Sequence, residues 1–187
     1  MDKRSFLAGG VLAVLASACT TTSNSGGDPA ARRSSIDASV DSALSKLYGQ
    51  VPGSRELTAK AKGVLVFPSV VSAGLGVGGS YGQGALRVGG RTVNYYSTTA
   101  ASVGLIAGAD SKAVFLLFMT QDALDKFRAS SGWTAGADAS VTMLKVGANA
   151  AIDTQTAQAP IVGFALSNAG LMANLSLDGT KISRLDL

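Results

Sequence analysis

Residues 62–86 read Lys-Gly-Val-Leu-Val-Phe-Pro-Ser-Val-Val-Ser-Ala-Gly-Leu-Gly-Val-Gly-Gly-Ser-Tyr-Gly-Gln-Gly-Ala-Leu. In an extended chain, successive side chains alternate between two faces. One face then carries Ser72, Gly74, Gly76, Gly78, Ser80, Gly82 and Gly84, little beyond backbone. The other carries Val71, Ala73, Leu75, Val77, Gly79 and Tyr81. Glycine weakens a strand and marks a bend, a bulge or the close approach of another backbone. So regular a bare face predicts a strand that lets its sheet curl, with a bend near Gly82.

The same glycines formally spell G-x-G-x-x-G at Gly74, Gly76 and Gly79. A dinucleotide site needs the third glycine to open a helix, and an acid about 20 residues later. Gly79 leads instead into Ser-Tyr-Gly-Gln-Gly, and the next acid is Asp110. Nucleotide binding is therefore rejected.

Around this stretch the pattern is helical before and extended after. Ile36, Val40, Ala43, Leu44 and Leu47 form one apolar stripe at helical spacing. Ser34 reads as its N-cap, with Asp37 three residues on, and Gly49 as its stop. Pro52-Gly53 turns the chain, and Ser54 caps a second helix over Arg55–Lys62. Val64–Phe67 is a short apolar strand ended by Pro68, and Gly89-Gly90 centres a hairpin turn. Strands are expected at 92–97, 103–109 and 113–119, the last buried on both faces. Thr120 caps a helix over Gln121–Ala129. Strands follow at 133–142, 161–167, 171–177 and, after an Asp178-Gly179 turn, 181–185. Asp110 reads as a turn residue. The expected fold is α+β: a strongly curved antiparallel sheet, barrel-like, with N-terminal amphipathic helices and one mid-chain helix.

The N-terminus reads as an export signal over residues 1–18: Lys3 and Arg4, then an apolar segment from Phe6 to Ala18, too short to span a membrane. Cys19 is the one cysteine and follows this segment directly. Two processing routes fit. Cys19 resembles the acylated cysteine of bacterial lipoproteins, while Ala16-Ser17-Ala18 fits ordinary secretory cleavage, which would leave the protein soluble in the periplasm. Residues 19–33 read as a flexible tether, and 34–187 as the folded domain.

Charge and composition exclude more than they assign. Charged residues make up 15%, below the usual level of about 25%. Loss of residues 1–18 leaves 14 basic and 11 acidic residues, a net +3 far below that of a nucleic-acid binder. The surplus is local: Arg32, Arg33, Lys46, Arg55, Lys60 and Lys62 face only Asp37, Asp41 and Glu56 within 32–62. The chain has no histidine, so the commonest general base and metal ligand are missing. Asp110, Asp138 and Asp153 are isolated in sequence. Nothing implies an enzyme, a metal or a cofactor. A membrane-spanning barrel fits poorly with Pro68, the polar helix at 121–129 and the lack of aromatic girdles.

Five blocks, taken in order, carry a resemblance. They are Ala61-Lys-Gly-Val-Leu-Val-Phe-Pro68, Ala73-Gly-Leu-Gly-Val-Gly-Gly-Ser-Tyr-Gly82, Ala101-Ser-Val-Gly-Leu105 with Gly108-Ala109, Gly136-Ala-Asp-Ala-Ser140, and Gly170-Leu-Met-Ala-Asn-Leu-Ser-Leu-Asp-Gly179. With their spacing they resemble the SYLF domain family over residues 34–187. Asn174, Tyr95-Tyr96 and the segment Leu144-Lys-Val-Gly147 depart from its usual pattern. The resemblance implies a lipid-binding module; eukaryotic members use a basic N-terminal helix on phosphoinositide membranes, and some bind actin. An exported bacterial-type chain would not meet actin, so the implied partner is an anionic phospholipid membrane. Arg32, Arg33, Lys46, Arg55, Lys60 and Lys62 are the expected headgroup contacts, and the expected location is the outer membrane, anchored through Cys19 and facing the periplasm. The alternative is a structural or stress-related envelope protein that binds a protein partner and no lipid.

Overall fold

The computed structural model describes residues 28–144, 158–167, 170–172 and 176–187. The expected signal segment, Cys19, the first part of the tether, and residues 145–147 and 173–175 lie outside them. Among the described residues, three helices, α1 (Pro29–Gln50), α2 (Ser54–Lys60) and α3 (Gln121–Ala129), accompany seven strands. These are β1 (Gly63–Val88), β2 (Arg91–Phe118), β3 (Gly132–Thr134), β4 (Thr142–Met143), β5 (Ile161–Ser167), β6 (Gly170–Leu171) and β7 (Lys181–Leu185). They form one strongly curled, half-barrel sheet in the order β3-β7-β2-β5-β4, with β1 on β2 and β6 on β5. The α+β reading holds. One pair, β4 with β5, is parallel rather than antiparallel as expected.

The glycine stretch lies within a single long ribbon. β1 and β2 pair from Gly63↔Phe118 to Val88↔Arg91, closed by Gly89-Gly90 with φ of +57° and +78°. Positive φ at both central residues is what a two-residue turn matching strand twist requires. Pro68 does not end the first strand: it sits at a register shift between Phe67 and Val70, where a residue without an N–H removes no ladder bond. Asp110 likewise pairs within β2, opposite Ser72, instead of turning the chain.

The bend lies at Gly74–Gly78, not near Gly82. In a straight strand those two Cα atoms would be about 13 Å apart. A Cβ added at Gly74 would instead strike the Gly78 Cα, and would stand 2.7 Å from the Val77 carbonyl. The ladder also shifts register here, between Gly74 and Gly76. Beyond the bend the ribbon folds back over itself. A Cβ at Gly82 would stand 2.8 Å from the Ser69 carbonyl, and one at Gly84 would run into that of Val66. The bare face therefore serves two purposes: a sharp fold-back at its centre, and backbone-to-backbone packing of the two legs.

Each leg recruits its own strands. β5 extends the first leg at 113–118 of β2, and β7 extends the second at 95–99. Inside the fold, Leu65, Phe67, Val70, Leu86, Val114, Leu116 and Phe118 pack with α3 and β7. Phe127 of α3 sits at the centre of an aromatic cluster, 4.8 Å from Phe118, 5.0 Å from Tyr96 and 5.6 Å from Trp133 between ring centroids. Outside, Val64, Val66, Ala85, Phe115, Leu117, Val162 and Phe164 meet Ile36, Val40, Ala43 and Leu47 of α1. The strand at 114–118 is thus buried on both faces, as expected.

Several boundaries differ from the sequence reading. α1 starts six residues early: Asp28, not Ser34, caps it by accepting from the Ala30 N–H at 3.0 Å, and Pro29 takes the first helical position. Proline is favoured there because its missing N–H would have no helical partner anyway. Residues 29–33, expected in the tether, are helix, and α1 runs through Gly49 to Gln50. Gly53, not Ser54, is the N-cap of α2, which ends at Lys60. Ser54 is buried and donates to the carbonyls of Val51 (2.6 Å) and Leu47 (3.2 Å), tying α2 to α1. The strand expected at 133–142 stops at Thr134, where Gly136 takes φ +85° and Asp138 accepts from the Thr134 N–H. The strand expected at 171–177 is described only as Gly170–Leu171.

Candidate functional site

Five of the six candidate cations stand on α1 and α2, and Lys62 follows α2; all are exposed. Arg32 and Lys46 are about 21 Å apart along α1 but within about 40° of one another around it. Ser35, Ser39 and Ser42 lie between them on the same flank, which carries no acid within the helix. Arg33 donates from Nε to the Pro29 carbonyl at 3.3 Å. Arg55 places its guanidinium 4.4 Å from the centroid of the Tyr48 ring, a cation–π contact joining the two helices. Lys60 closes α2 where the helix dipole favours positive charge, and the Lys62 backbone N–H donates to the Phe118 carbonyl at 2.8 Å. The six cations form two groups, one at the start of α1 and one around α2, with Lys46 between. They are not one compact cluster.

The opposite flank of α1 is locked down by residues that sequence spacing did not reveal. Asp37 accepts from the Thr92 hydroxyl at 2.7 Å and from the Tyr95 hydroxyl at 2.9 Å. Arg87 pairs with Asp41 at 2.9 Å and lies 3.8 Å from the Asp37 carboxylate. Its side chain is only 16% exposed, and its Nε is buried without a hydrogen-bond partner. Asp37 therefore does not complete a capping box with Ser34; it clamps α1 to the β1–β2 hairpin. Its partners lie 55 and 58 residues away in sequence, beyond the reach of any local motif. The buried stripe and this clamp together hold α1 on the sheet.

Tyr95 is held protonated above its ordinary value of 10.0, first by burial and then by its hydrogen bond to Asp37 and that carboxylate's charge, with Arg33 and Arg87 opposing. A group whose pKa is raised on folding contributes its full stability below the unfolded value and loses it as pH climbs through the folded one. The stability difference between wild type and Tyr95→Phe should therefore shrink above about pH 10. Urea midpoints between pH 8 and 11 measure this; a constant difference would contradict it.

Concave features flank the ribbon on both of its faces. Between its legs lies a cavity of about 420 Å³, with Phe67, Val114 and Leu177 on its walls. On the outer surface a shallow groove of about 610 Å³ runs between Ser35, Ile36 and Ser39 of α1 and Val71, Ala73 and residues 79–83 of the ribbon. Among the described residues, no group of three histidine, cysteine or acidic side chains could hold a metal ion, and no helix is long and apolar enough to cross a membrane.

Residues 99–186 match the family model Ysc84, described as Las17-binding protein actin regulator. This is the SYLF family that the sequence blocks resemble. No curated protein matches the chain. The matched segment begins within β2 and takes in α3 and every later strand. β1, α1, α2 and all six candidate cations precede it.

Proposed function

We propose that this chain is a non-enzymatic envelope lipoprotein that binds anionic phospholipid through Arg32, Arg33, Lys46, Arg55, Lys60 and Lys62. The observation that carries the reading is the contrast between these cations and Arg87. Among the described residues the six form no ion pair, whereas Arg87 is spent on Asp37 and Asp41. Each cation near an anionic leaflet contributes about 1 kcal/mol, so binding through headgroups alone is weak and salt-sensitive. Acylation at Cys19 would make attachment lasting, because stable anchoring takes two signals. The family's lipid-binding members support the chemistry. Its description names actin regulation, which an exported chain has no occasion to perform.

The test uses the processed chain from residue 19 with Cys19→Ser, so that no acyl group contributes. It should sediment with phosphatidylglycerol-containing vesicles and much less with phosphatidylcholine alone. Replacing Lys60 and Lys62 by glutamate should weaken binding at least about tenfold, since that corresponds to only 1.4 kcal/mol. Equal binding to both vesicle types would overturn the reading. Salt-insensitive capture of one envelope protein without vesicle binding would do so too.

A further inference from the structure

We infer that the outer face of the ribbon bend is an apolar element that enters the lipid interface, beside the acid-free flank of α1. This rests on the lipid-binding reading and names the part of the surface that goes in first. The side chains of Val71, Val77 and Tyr81 point to one outer face and are 49%, 71% and 49% exposed. Ala73 and Gly79 between them are exposed as well. Among the described residues, β5 and β7 extend the sheet at 113–118 and 95–99, which leaves β1 and β2 paired with each other alone near the middle of the ribbon. α1 covers the outer face further along, and among the described residues it lines the groove at this part with Ser35, Ile36 and Ser39. Contiguous exposed apolar surface of this kind marks an interaction site.

Charge and chain length indicate a membrane as its occupant. Arg32 lies one turn before Ile36, about 6 Å along the helix, and so borders the apolar groove. Lys46 continues the same flank, and with Lys112 it lines a second depression, which shares Ser39, Pro68 and Ser69 with the apolar groove. The acids of α1 lie on the far flank, bound to Thr92, Tyr95 and Arg87. Asp28 at its start caps the Ala30 N–H. Cations around an apolar centre match an anionic headgroup layer over hydrocarbon. Tyr81 adds an amphipathic ring, its hydroxyl accepting from Gln83 Nε2 at 2.7 Å, the chemistry favoured at a membrane–water boundary. The chain also enters from this side. Nine residues separate Cys19 from Pro29, a reach of at most about 36 Å, so an anchor at Cys19 would hold the start of α1 and the bend within that distance of the bilayer.

The experiment compares wild type, Val77→Asp and Val77→Trp in the same Cys19→Ser processed chain, on vesicles of phosphatidylglycerol and phosphatidylcholine. Val77 is exposed enough that Val77→Asp should leave the circular dichroism spectrum and melting midpoint unchanged while weakening vesicle binding about tenfold or more. The indole introduced by Val77→Trp should shift to the blue and be quenched by brominated lipid, whereas buried Trp133 should not respond. If wild type fails to bind vesicles, the lipid-binding reading itself falls. If wild type binds, Lys60→Glu/Lys62→Glu weakens it, and Val77→Asp binds unchanged with no quenching at the new indole, this inference alone is overturned. Loss of self-association in Val77→Asp, with vesicle binding intact, would overturn it in favour of a second copy of the chain.

Discussion

Gly84→Ala is expected to cost about 3 kcal/mol or more, enough to remove much of the stability of a domain this size. The new methyl group would run into the Val66 carbonyl and lie 2.8 Å from Phe67 Cδ1. Neither neighbour can yield. Val66 is backbone in the opposing leg, and Phe67 is fully buried among the inner side chains. Separating the legs would open both the inner core and the ladder on either side. Gly79→Ala in the same strand is the control, because its added Cβ would meet only the Ala100 carbonyl, at an ordinary 3.7 Å. It should move stability by no more than about 0.5 kcal/mol. Urea unfolding followed by circular dichroism separates the two, and equal midpoints would show that the legs do not pack as described.

Asp37→Ala should cost about 2–4 kcal/mol, an unusually large figure for a residue on a helix surface. The substitution removes one carboxylate but leaves Thr92 and Tyr95 without an acceptor and Arg87 with less neutralisation. Asp41→Ala breaks the shorter ion pair yet should cost no more than about 1 kcal/mol, because Asp41 is 64% exposed and water replaces it. The order is the diagnostic result. If Asp41→Ala proves the more damaging of the two in chemical unfolding, the clamp is held by charge alone rather than by hydrogen bonds.

These two residues also show what can be read from sequence. Local signals located local structure: Thr120 and the stripe of α3 placed that helix over 121–129, paired glycines placed the hairpin turn, and β5 and β7 fell at their expected bounds. Regular glycine on one strand face pointed to curvature but not to its position, because Gly74 and Gly82 look alike until the opposing leg is in place. Pro68 and Asp110 depart from their sequence reading for the same reason, since a bulge or a strand pairing depends on the partner strand. The start of α1 was missed because a polar segment rich in serine, threonine and glycine ran into it without a break, although Asp28-Pro29 is itself a helix-start signal. The exposed cations could be listed from sequence. Their separation into two groups, and the reservation of Arg87 for Asp37 and Asp41, depend on side chains some fifty residues apart.

A strand that is paired along its whole length by a neighbour does not define an independent folding piece. The family match starts inside β2, while β1, the partner of β2 throughout, lies outside it. A fragment cut to residues 99–186 would keep a strand whose ladder groups had lost their mates. It would also expose the outer side of Phe115, Leu117 and Phe164 that α1 now covers. An open, apolar edge of that length is a template for pairing with other chains. Recognition by family and autonomy of folding therefore have different boundaries in this molecule, and the smallest stretch that keeps its strands from seeking foreign partners reaches back to the helix that begins at Pro29.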